Sequence, residues 1–423
     1  MTPIDAILTG SAALVATPAY VLGAECLLAA LYRSVKSGGP SGDRPCVAVV
    51  VPAHNEAPQI PQTLASIRPQ LGEGDRVIVV ADNCSDATAE VAQSHGAEVL
   101  VRNSTNERGK GYALRHAFER LRSSPPDVVV CIDADCVATP GAIGVIARLA
   151  KAKQRPVQAA YLMESPSEAD RPAAGRVSEF AVLVKNFVRP RGLGMLGLPC
   201  LLTGSGMAFP WDVLQSVPHP EGHIVEDMRF AVDLTIAGRP PLPQMDAQVV
   251  SRLPAREAAV TTQRTRWEHG HLAVILSEAP RLASAFLRSG RPSVLALLLE
   301  LSVPPLSLLV GVMALALMAS SALVALGGTV VPLAILASAV LFATVGLGAS
   351  WLRYGRQVLP GKTLLAVPGY ALRKAPLYAS FAKKREQAWV RTARDSGATA
   401  PAPHYATERV NAKEGAPSRK TSG

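Results

Sequence analysis

Two long apolar blocks flank a central region of mixed pattern in this 423-residue chain. Residues 6–31 are apolar except for Glu25, and residues 301–352 contain no Asp, Glu, Lys or Arg. One membrane helix needs about 20 residues, so the second block is long enough for two, with Gly327 and Gly328 as the turn between them. Two buried helices of a soluble core would rarely extend so far without a polar face. The pattern therefore predicts about three transmembrane helices, an N-terminal anchor and a later hairpin.

In the central region, short apolar runs alternate with helical patterns. The predicted strands are residues 46–51, 77–81, 98–101 and 128–132, and the predicted helices are residues 60–67, 87–95 and 112–121. Strands that are continuous apolar runs separated by helices indicate a parallel sheet that is buried on both faces. We therefore expect an α/β domain, and in such sheets ligands bind beyond the carboxyl ends of the strands.

The formal charge of +10 could indicate a nucleic-acid partner, but its distribution argues against one. Residues 281–423 carry 17 Lys and Arg against 5 Asp and Glu, so the rest of the chain is slightly acidic. A nucleic-acid binder would spread basic charge over its folded domain. Here the basic residues flank apolar blocks, as they do on the cytoplasmic side of membrane proteins. We expect no nucleic-acid partner, and a multi-pass protein of the inner (plasma) membrane whose central domain is cytoplasmic.

The N-terminal block is predicted to be an uncleaved anchor. A signal peptide carries its positive charge before the apolar run, whereas Arg33 and Lys36 follow it here. Residues 364–389 mix apolar and basic side chains, which suits an amphipathic helix on an anionic leaflet, with a solvated basic helix as the alternative. The predicted organisation has six parts. They are an anchor at 1–36, a linker at 37–45, a cytoplasmic domain at 46–280, a basic flank and transmembrane hairpin at 281–352, amphipathic interfacial helices at 353–395, and a disordered tail at 396–423.

Asp133 and Asp135 directly follow the fourth predicted strand. An ordinary strand-end turn would explain them, but side chains alternate along a strand, so two carboxylates one residue apart point the same way. Such a pair suits Mg²⁺ or Mn²⁺, which take the remaining ligands from water and substrate phosphates. An adjacent pair without a counter-charge would repel, and metal binding relieves that repulsion. His269 and His271 have no third ligand nearby and are predicted to be surface or core histidines.

Lys110 lies between two glycines, Gly109 and Gly111. The segment does not fit the phosphate-loop spacing G-x-x-x-x-G-K-[ST]. The glycines still allow close approach of the backbone to a ligand, and the lysine could reach a phosphate. A simple helix start is the equally weighted alternative.

These clusters, in this order, resemble the family 2 glycosyltransferases. The resemblance runs from residue 47 to 267 and continues more weakly through the hairpin and residues 389–392. It implies the A-type glycosyltransferase fold, which is Rossmann-like with a mostly parallel sheet. It also implies a nucleotide-sugar donor and Mg²⁺ or Mn²⁺ as cofactor. Asp133 and Asp135 match the metal-binding D-x-D pair of the family.

The resemblance assigns donor-binding positions. Residues 50–56 (VVPAHNE) match the first strand, which holds the nucleoside in the family, and Asp82 matches the aspartate that contacts the nucleobase. Many relatives have a second aspartate where this chain has Ala81. The implied donor-binding residues are Pro52, Asn55, Glu56, Asp82, Lys110 and Asp133.

Further motifs imply the acceptor and diphosphate side. Gly204 lies in a T-G-S-G segment similar to the family's acceptor loop, and Glu226 and Asp227 match its E-D pair. Residues 263–267 fit Q-x-x-R-W, the signature of the membrane-bound branch that includes cellulose, chitin and hyaluronan synthases. The implied acceptor and diphosphate residues are Gly204, Glu226, Gln263, Arg266 and Trp267.

The resemblance implies inversion by direct displacement, with Asp227 as the general base. Arg266 would bind the diphosphate, and Trp267 would give the acceptor sugar an apolar platform. Asp227 could also be a helix first-turn acid, and Trp267 could be a membrane-interface tryptophan.

The expected function is transfer of a hexosyl or N-acetylhexosaminyl group to a lipid-linked oligosaccharide or polysaccharide acceptor. The expected process is bacterial exopolysaccharide or cell-surface glycan biosynthesis, with other polysaccharide-assembly proteins as further candidate partners. A processive polysaccharide synthase is the alternative within this class. A catalytically silent nucleotide-sugar-binding membrane protein is disfavoured, because the acidic positions of the D-x-D pair and of the E-D pair are all filled.

Overall fold

The computed structural model describes residues 2–33, 43–164, 172–220, 225–252 and 257–383. The predictions for the linker up to residue 42, for residues 384–395 and for the tail at 396–423 lie outside these ranges. The described strands form one sheet and are β1 (Val47–Ala53), β2 (Arg76–Asp82), β3 (Glu98–Arg102), β4 (Val128–Cys131), β5 (Cys136–Ala138), β6 (Val157–Glu164), β7 (Met207–Pro210) and β8 (Leu242–Arg252).

The described α-helices are distributed around this sheet and beyond it. They are α1 (Pro3–Leu31), α2 (Ile60–Ile67), α3 (Thr88–Ser94), α4 (Lys110–Leu121), α5 (Ala142–Lys153), α6 (Ala173–Leu183), α7 (Arg189–Met195), α8 (Trp211–Ser216), α9 (Glu226–Ile236), α10 (Glu257–Ser289), α11 (Pro292–Ser302), α12 (Leu306–Ala325), α13 (Val331–Ser350), α14 (Val367–Arg373) and α15 (Ala375–Lys383). Single π-helical turns occur at Val184–Val188 and Trp351–Gly355, and short 3₁₀ segments at Arg68–Gln70 and Gly361–Ala366.

The strand order is β3-β2-β1-β4-β7-β6-β8-β5. β1 pairs in parallel with β2 and β4, and β2 pairs in parallel with β3, so Val50 lies between Ile78 and Cys131. The predicted α/β fold with a mostly parallel sheet is confirmed. The exceptions are β7, antiparallel to β4 and β6, and β5, antiparallel to β8.

The first strand shows why an apolar run becomes a central strand. Ala48 and Val50 pack into the core cluster on one face of the sheet, while Val47, Val49 and Val51 pack into the cluster on the other face. All five are buried. Alternation of side chains along the strand sends each set to its own face, so both faces need apolar residues. The polar residues that follow are thereby placed at the carboxyl edge of the sheet.

Within the described ranges, three helices are long and apolar enough to cross a membrane: α1, α12 and the helix that begins with α13. Gly327, at φ +86°, lies in the turn between α12 and α13, as predicted. α1 packs closely along α13. A Cβ on Gly346 would lie only 2.5 Å from the carbonyl oxygen of Gly23. Small residues allow backbones of membrane helices to approach this closely.

The apolar anchor is also joined to the α/β domain. Glu25 of α1 is buried in an ion pair with Arg189 of α7. Arg189 Nη2 also donates to the carbonyl of Glu300 in α11 at 2.8 Å. A Cβ on Gly192 would lie 2.1 Å from the carbonyl oxygen of Glu25, so α7 and α1 touch through their backbones.

The domain boundary predicted at residue 280 falls inside α10, which continues to Ser289. The following helix, α11, buries Val294, Leu297 and Leu301 in the same core cluster as β1 and β4. The α/β domain therefore packs against chain segments on both sides of the predicted boundary.

Candidate active site

A cavity of about 620 Å³ lies where the chain leaves β1, β2 and β4. Twelve of the thirteen residues singled out in the sequence line it. They are Pro52, Asn55, Glu56, Asp82, Lys110, Asp133, Asp135, Gly204, Glu226, Asp227, Arg266 and Trp267. The thirteenth, Gln263, is on α10, but its side chain lies outside the described part of the chain. Segments far apart in sequence therefore meet at one edge of the sheet.

Asp82 ends β2 and is 6% exposed. Its Oδ1 accepts from Arg102 Nη1 at 2.6 Å and from Asn83 Nδ2 at 3.1 Å. Arg102 in turn donates to Glu107 at 2.7 Å. Arg102, at the end of β3, was missed in the sequence, although a cation that ends an apolar strand beside an acid-terminated one is a usable signal. The arginine fixes the Asp82 carboxylate at the rim of the cavity.

The loop after β1 is tied to the loop after β2. Asn55 has φ +54°, in the left-handed region that asparagine tolerates better than most residues. In this conformation its Oδ1 accepts from the backbone N–H of Ser85 at 2.6 Å. The N–H of Glu56 donates to Thr88 Oγ1 at 2.8 Å. These bonds hold both loops as one wall of the cavity.

Asp133 and Asp135 project from the loop that joins β4 to β5. The N–H of Asp133 donates to Ser205 Oγ at 3.1 Å, and Asp135 Oδ2 accepts from Ser251 Oγ at 3.2 Å. One ligand atom from each carboxylate and from Cys136 lie within 4.8 Å of one another. Burial raises the pKa of the Cys136 thiol, which donates to Asp135 as a neutral group. The two carboxylates, without the thiol, form a donor set that fits Mg²⁺ or Mn²⁺.

The carboxylate pair has a counter-charge that the sequence did not reveal. Lys110, the first residue of α4, forms an ion pair with Asp133 and donates to the carbonyl of Gly204 at 2.6 Å. Although burial alone would lower it, the carboxylates of Asp133 and Glu226 raise the pKa of Lys110 above its ordinary value. The ammonium group thus connects the D-x-D loop to the loop that contains Gly204.

Glu226 and Asp227 occupy the first turn of α9. Burial raises the pKa of Asp227, with Lys110 opposing the effect, and burial together with the Asp227 charge raises the pKa of Glu226 to about 8. Asp227 Oδ1 accepts from the N–H of Met228 at 2.9 Å, so the residue is also a first-turn acid. Gly204 has φ +91°, and a Cβ there would lie 3.2 Å from Asp227 Oδ2.

Lys185 lines the same cavity and was not predicted from the sequence. It lies in the π-helical turn Val184–Val188 and is half-buried. Burial lowers the pKa of its ammonium group, and the Asp227 carboxylate opposes this effect. A single lysine within the apolar run 181–184 and 187–188 is the signal that could have identified it.

Comparison with known proteins places the chain in a family. The low-salt glycan biosynthesis hexosyltransferase Agl6 of Haloferax volcanii is 36% identical over 96 residues, 22% of this chain and 21% of that protein. The glycosyltransferase AglD of the same organism is 37% identical over 99 residues, 21% of this chain and 15% of that protein. The chain thus matches about a fifth or less of the length of these curated relatives.

A solved structure extends the fold comparison over most of the chain. The mannosyltransferase PcManGT from Pyrobaculum calidifontis, in complex with GDP-Man and Mn²⁺, superposes with a TM-score of 0.52. The alignment covers 82% of this chain and 98% of that one at 20% identity. Residues 44–270, more than half of the chain, match the family described as Glycosyltransferase like family 2. The protein belongs to glycosyltransferase family 2, whose members act on nucleotide-sugar donors.

Proposed function

We propose that this protein is an inverting, metal-dependent glycosyltransferase of the membrane-bound Q-x-x-R-W branch. It transfers a hexosyl or N-acetylhexosaminyl group from a nucleotide sugar to a lipid-linked oligosaccharide or polysaccharide on the cytoplasmic face of the inner membrane. The proposed process is exopolysaccharide or cell-surface glycan synthesis. The observation that carries the proposal is the meeting of Asp133, Asp135, Lys110 and Asp227 in one cavity.

The donor lies across the strand ends in this proposal. The loops that contain Pro52, Asn55 and Asp82 form the wall that receives the nucleoside. Asp133 and Asp135 hold Mg²⁺ or Mn²⁺, which, when bound, supplies positive charge that stabilises the leaving nucleoside diphosphate. A diphosphate would also give Lys110 an anionic partner other than Asp133.

The chain's own residues perform the proton transfer. An acceptor hydroxyl oxygen attacks the anomeric carbon, its proton passes to an oxygen of Asp227, and the bond from that carbon to the diphosphate oxygen breaks. A carboxylate whose pKa is raised by burial is a stronger base than one in water, which suits Asp227 to this role. Arg266 and Trp267 both line the cavity; in this proposal Arg266 binds the diphosphate and Trp267 packs against the acceptor.

The test is a donor screen with the full-length chain in purified membranes. UDP-glucose, UDP-N-acetylglucosamine and GDP-mannose are supplied separately, and released nucleoside diphosphate is measured. We expect release from at least one donor and radiolabelled sugar in the lipid extract. No release from any nucleotide sugar tested would contradict the proposal. A soluble labelled polymer without a labelled lipid would favour the processive alternative.

A further inference from the structure

A second cavity of about 520 Å³ lies between the α/β domain and the hairpin. Its lining is contributed by α6, α10, α12, α13 and α14. Most of that lining is apolar, with Phe180, Leu306, Val310 and Leu347 among its residues. Val310 is 51% exposed, so the cavity continues onto the face of α12 that a membrane-spanning hairpin would present to lipid.

The second cavity adjoins the candidate active site. Three residues, Val182, Lys185 and Trp267, line both cavities. The first cavity contains the proposed base, Asp227, whose charge acts on Lys185. The two cavities therefore meet at these three side chains.

The apolar cavity contains polar groups that the described part of the chain leaves without partners. Lys185 forms no ion pair or hydrogen bond within the described residues. His271 Nε2 and the Tyr370 hydroxyl, in side chains that are 3% and 9% exposed, also lack a hydrogen-bond partner there. Leaving a buried donor or acceptor unsatisfied costs about 1–3 kcal/mol, and more for a charged group.

The other charged groups of the lining are already compensated. Arg189 pairs with Glu25, and Lys374 pairs with Glu268. One ammonium group and two neutral polar atoms thus remain for a ligand. An occupant that fits has a hydrocarbon portion for the apolar walls and one anionic group for Lys185.

We propose that the second cavity binds the acceptor lipid of the reaction, an alkyl or isoprenoid phosphate derivative. Its hydrocarbon chain lies against α6, α12 and α13, and its phosphate lies at Lys185 with His271 and Tyr370 as hydrogen-bond partners. The sugar attached beyond the phosphate then extends into the first cavity towards Asp227. This inference rests on the proposed glycosyl transfer and specifies where its acceptor is held.

Gly348 is a suitable position for a substitution that introduces bulk into the cavity. It lines the cavity, and a Cβ there would have no heavy atom within 4 Å, so the side chain of Gly348→Phe begins without a clash. Gly311 on α12 is the matched control. Its Cβ position is equally open, but it does not line the cavity. Equal melting temperatures of the two variants and the parent chain would establish that all three are folded.

The binding probe is hexadecyl phosphate with a photoreactive diazirine near the end of its chain. It is added to the full-length protein in phosphatidylcholine nanodiscs. Labelled peptides should map to α6 and α13. Gly348→Phe should reduce labelling at least about tenfold, which corresponds to ~1.4 kcal/mol of binding free energy, whereas Gly311→Phe should match the parent chain. Undiminished labelling of Gly348→Phe would overturn the proposal.

The role of the phosphate is tested with hexadecanol carrying the same diazirine. The parent chain should prefer hexadecyl phosphate, and Lys185→Met should remove most of that preference. Equal labelling of the parent chain by both probes would overturn the assignment of Lys185. Inorganic phosphate alone should compete weakly, because it lacks the hydrocarbon portion.

Transfer assays separate this inference from the proposed function. Gly348→Phe should still release nucleoside diphosphate by donor hydrolysis in water but should lose transfer of labelled sugar to membrane lipids. Normal lipid glycosylation by a variant that no longer binds the probe would mean that the cavity holds a lipid other than the acceptor. That result would overturn the inference and leave the proposed function intact. Probe binding by a parent chain that turns over no donor would refute the proposed function, and the acceptor assignment with it.

Discussion

Asp227→Asn tests the residue on which the proposed chemistry depends. Loss of a positioned general base lowers turnover at least about a hundredfold. That factor corresponds to ~2.7 kcal/mol of transition-state stabilisation. The structure predicts a much smaller effect on the free energy of unfolding. Asp227 Oδ1 accepts a hydrogen bond from the N–H of Met228 at 2.9 Å, and an asparagine Oδ1 can accept the same bond. Only the charge at the first turn of α9 is lost, worth ~0.3–1 kcal/mol.

The two effects are measured on the same variant. A stability loss of this size lowers the melting temperature by no more than about 4 °C for a domain of this length. We expect a large fall in kcat, measured as nucleoside diphosphate release with acceptor present, and a nearly unchanged donor Kd. Asp212→Asn is the matched control, since Asp212 is an exposed first-turn acid of α8 that does not line the cavity.

One result would refute this reasoning. If Asp227→Asn melted early but turned over the donor and acceptor at the normal rate, the residue would be a structural first-turn acid alone. Asp227 would then leave the mechanism. A fall in activity shared by Asp212→Asn would have the same consequence, because it would show that any first-turn charge affects the assay.

Three further predictions follow from the site and from the membrane helices. Excess EDTA should abolish donor turnover, and Mg²⁺ or Mn²⁺ should restore it. Asp135→Asn should lose most of the rate but keep its melting temperature. Full activity in EDTA would contradict a metal site. The pKa of Glu226 is raised from 4.5 to about 8 in the folded chain. Between these pH values the folded chain keeps the carboxyl protonated while the unfolded chain ionises it. The free energy of unfolding therefore falls as the pH rises from 4.5 towards 8. Replacing Glu226 by Gln should therefore raise the melting temperature at about pH 8.5 and leave it nearly unchanged at about pH 4. An equal rise in melting temperature at both pH values would show that ionisation of Glu226 is not the cause. A topology reporter at Gly327 should be external, and reporters after Leu352 and in the linker 37–45 should be cytoplasmic; a cytoplasmic result at Gly327 would refute the hairpin.

The first half of the sheet was predictable because local pattern and tertiary structure agree there. The predicted helix at residues 60–67 matches α2, and the first four strands differ from prediction by at most two residues at either end. β1, β2 and β4 are buried on both faces, so their apolar runs are unbroken. β3 is the edge strand and is only partly buried. β5, β6, β7 and β8 were not predicted. β7 and β5 have only four and three residues, and their antiparallel pairing depends on neighbours far away in sequence.

The site was predictable as far as it follows strand ends. Asp82 and Asp133 come directly after apolar runs, and parallel strands bring such positions together. A local signal marks Arg102 as a candidate, but the sequence does not say that Arg102 pairs with Asp82 or that Lys110 pairs with Asp133, because ion pairs depend on packing between elements. The single lysine in an apolar run marks Lys185 as unusual, but the sequence does not show that it lines the cavity, because that too depends on packing between elements.

The ion pair between Glu25 and Arg189 has a consequence for the synthesis of this chain. The two residues are 164 positions apart. At ~5–20 residues per second, a ribosome needs roughly 10–30 s to make the arginine after the glutamate. During that interval the carboxylate of the first helix has no partner. An unpaired charge costs more free energy in the hydrocarbon core of a bilayer than at the interface with water. We therefore expect the first helix to reach its final position only after the α/β domain has begun to form. A generic apolar helix substituted for residues 1–36 would insert sooner, but it would leave Arg189 buried without its carboxylate. A chimera of this enzyme should therefore keep both residues of the pair, so the first helix should not be exchanged without the α/β domain.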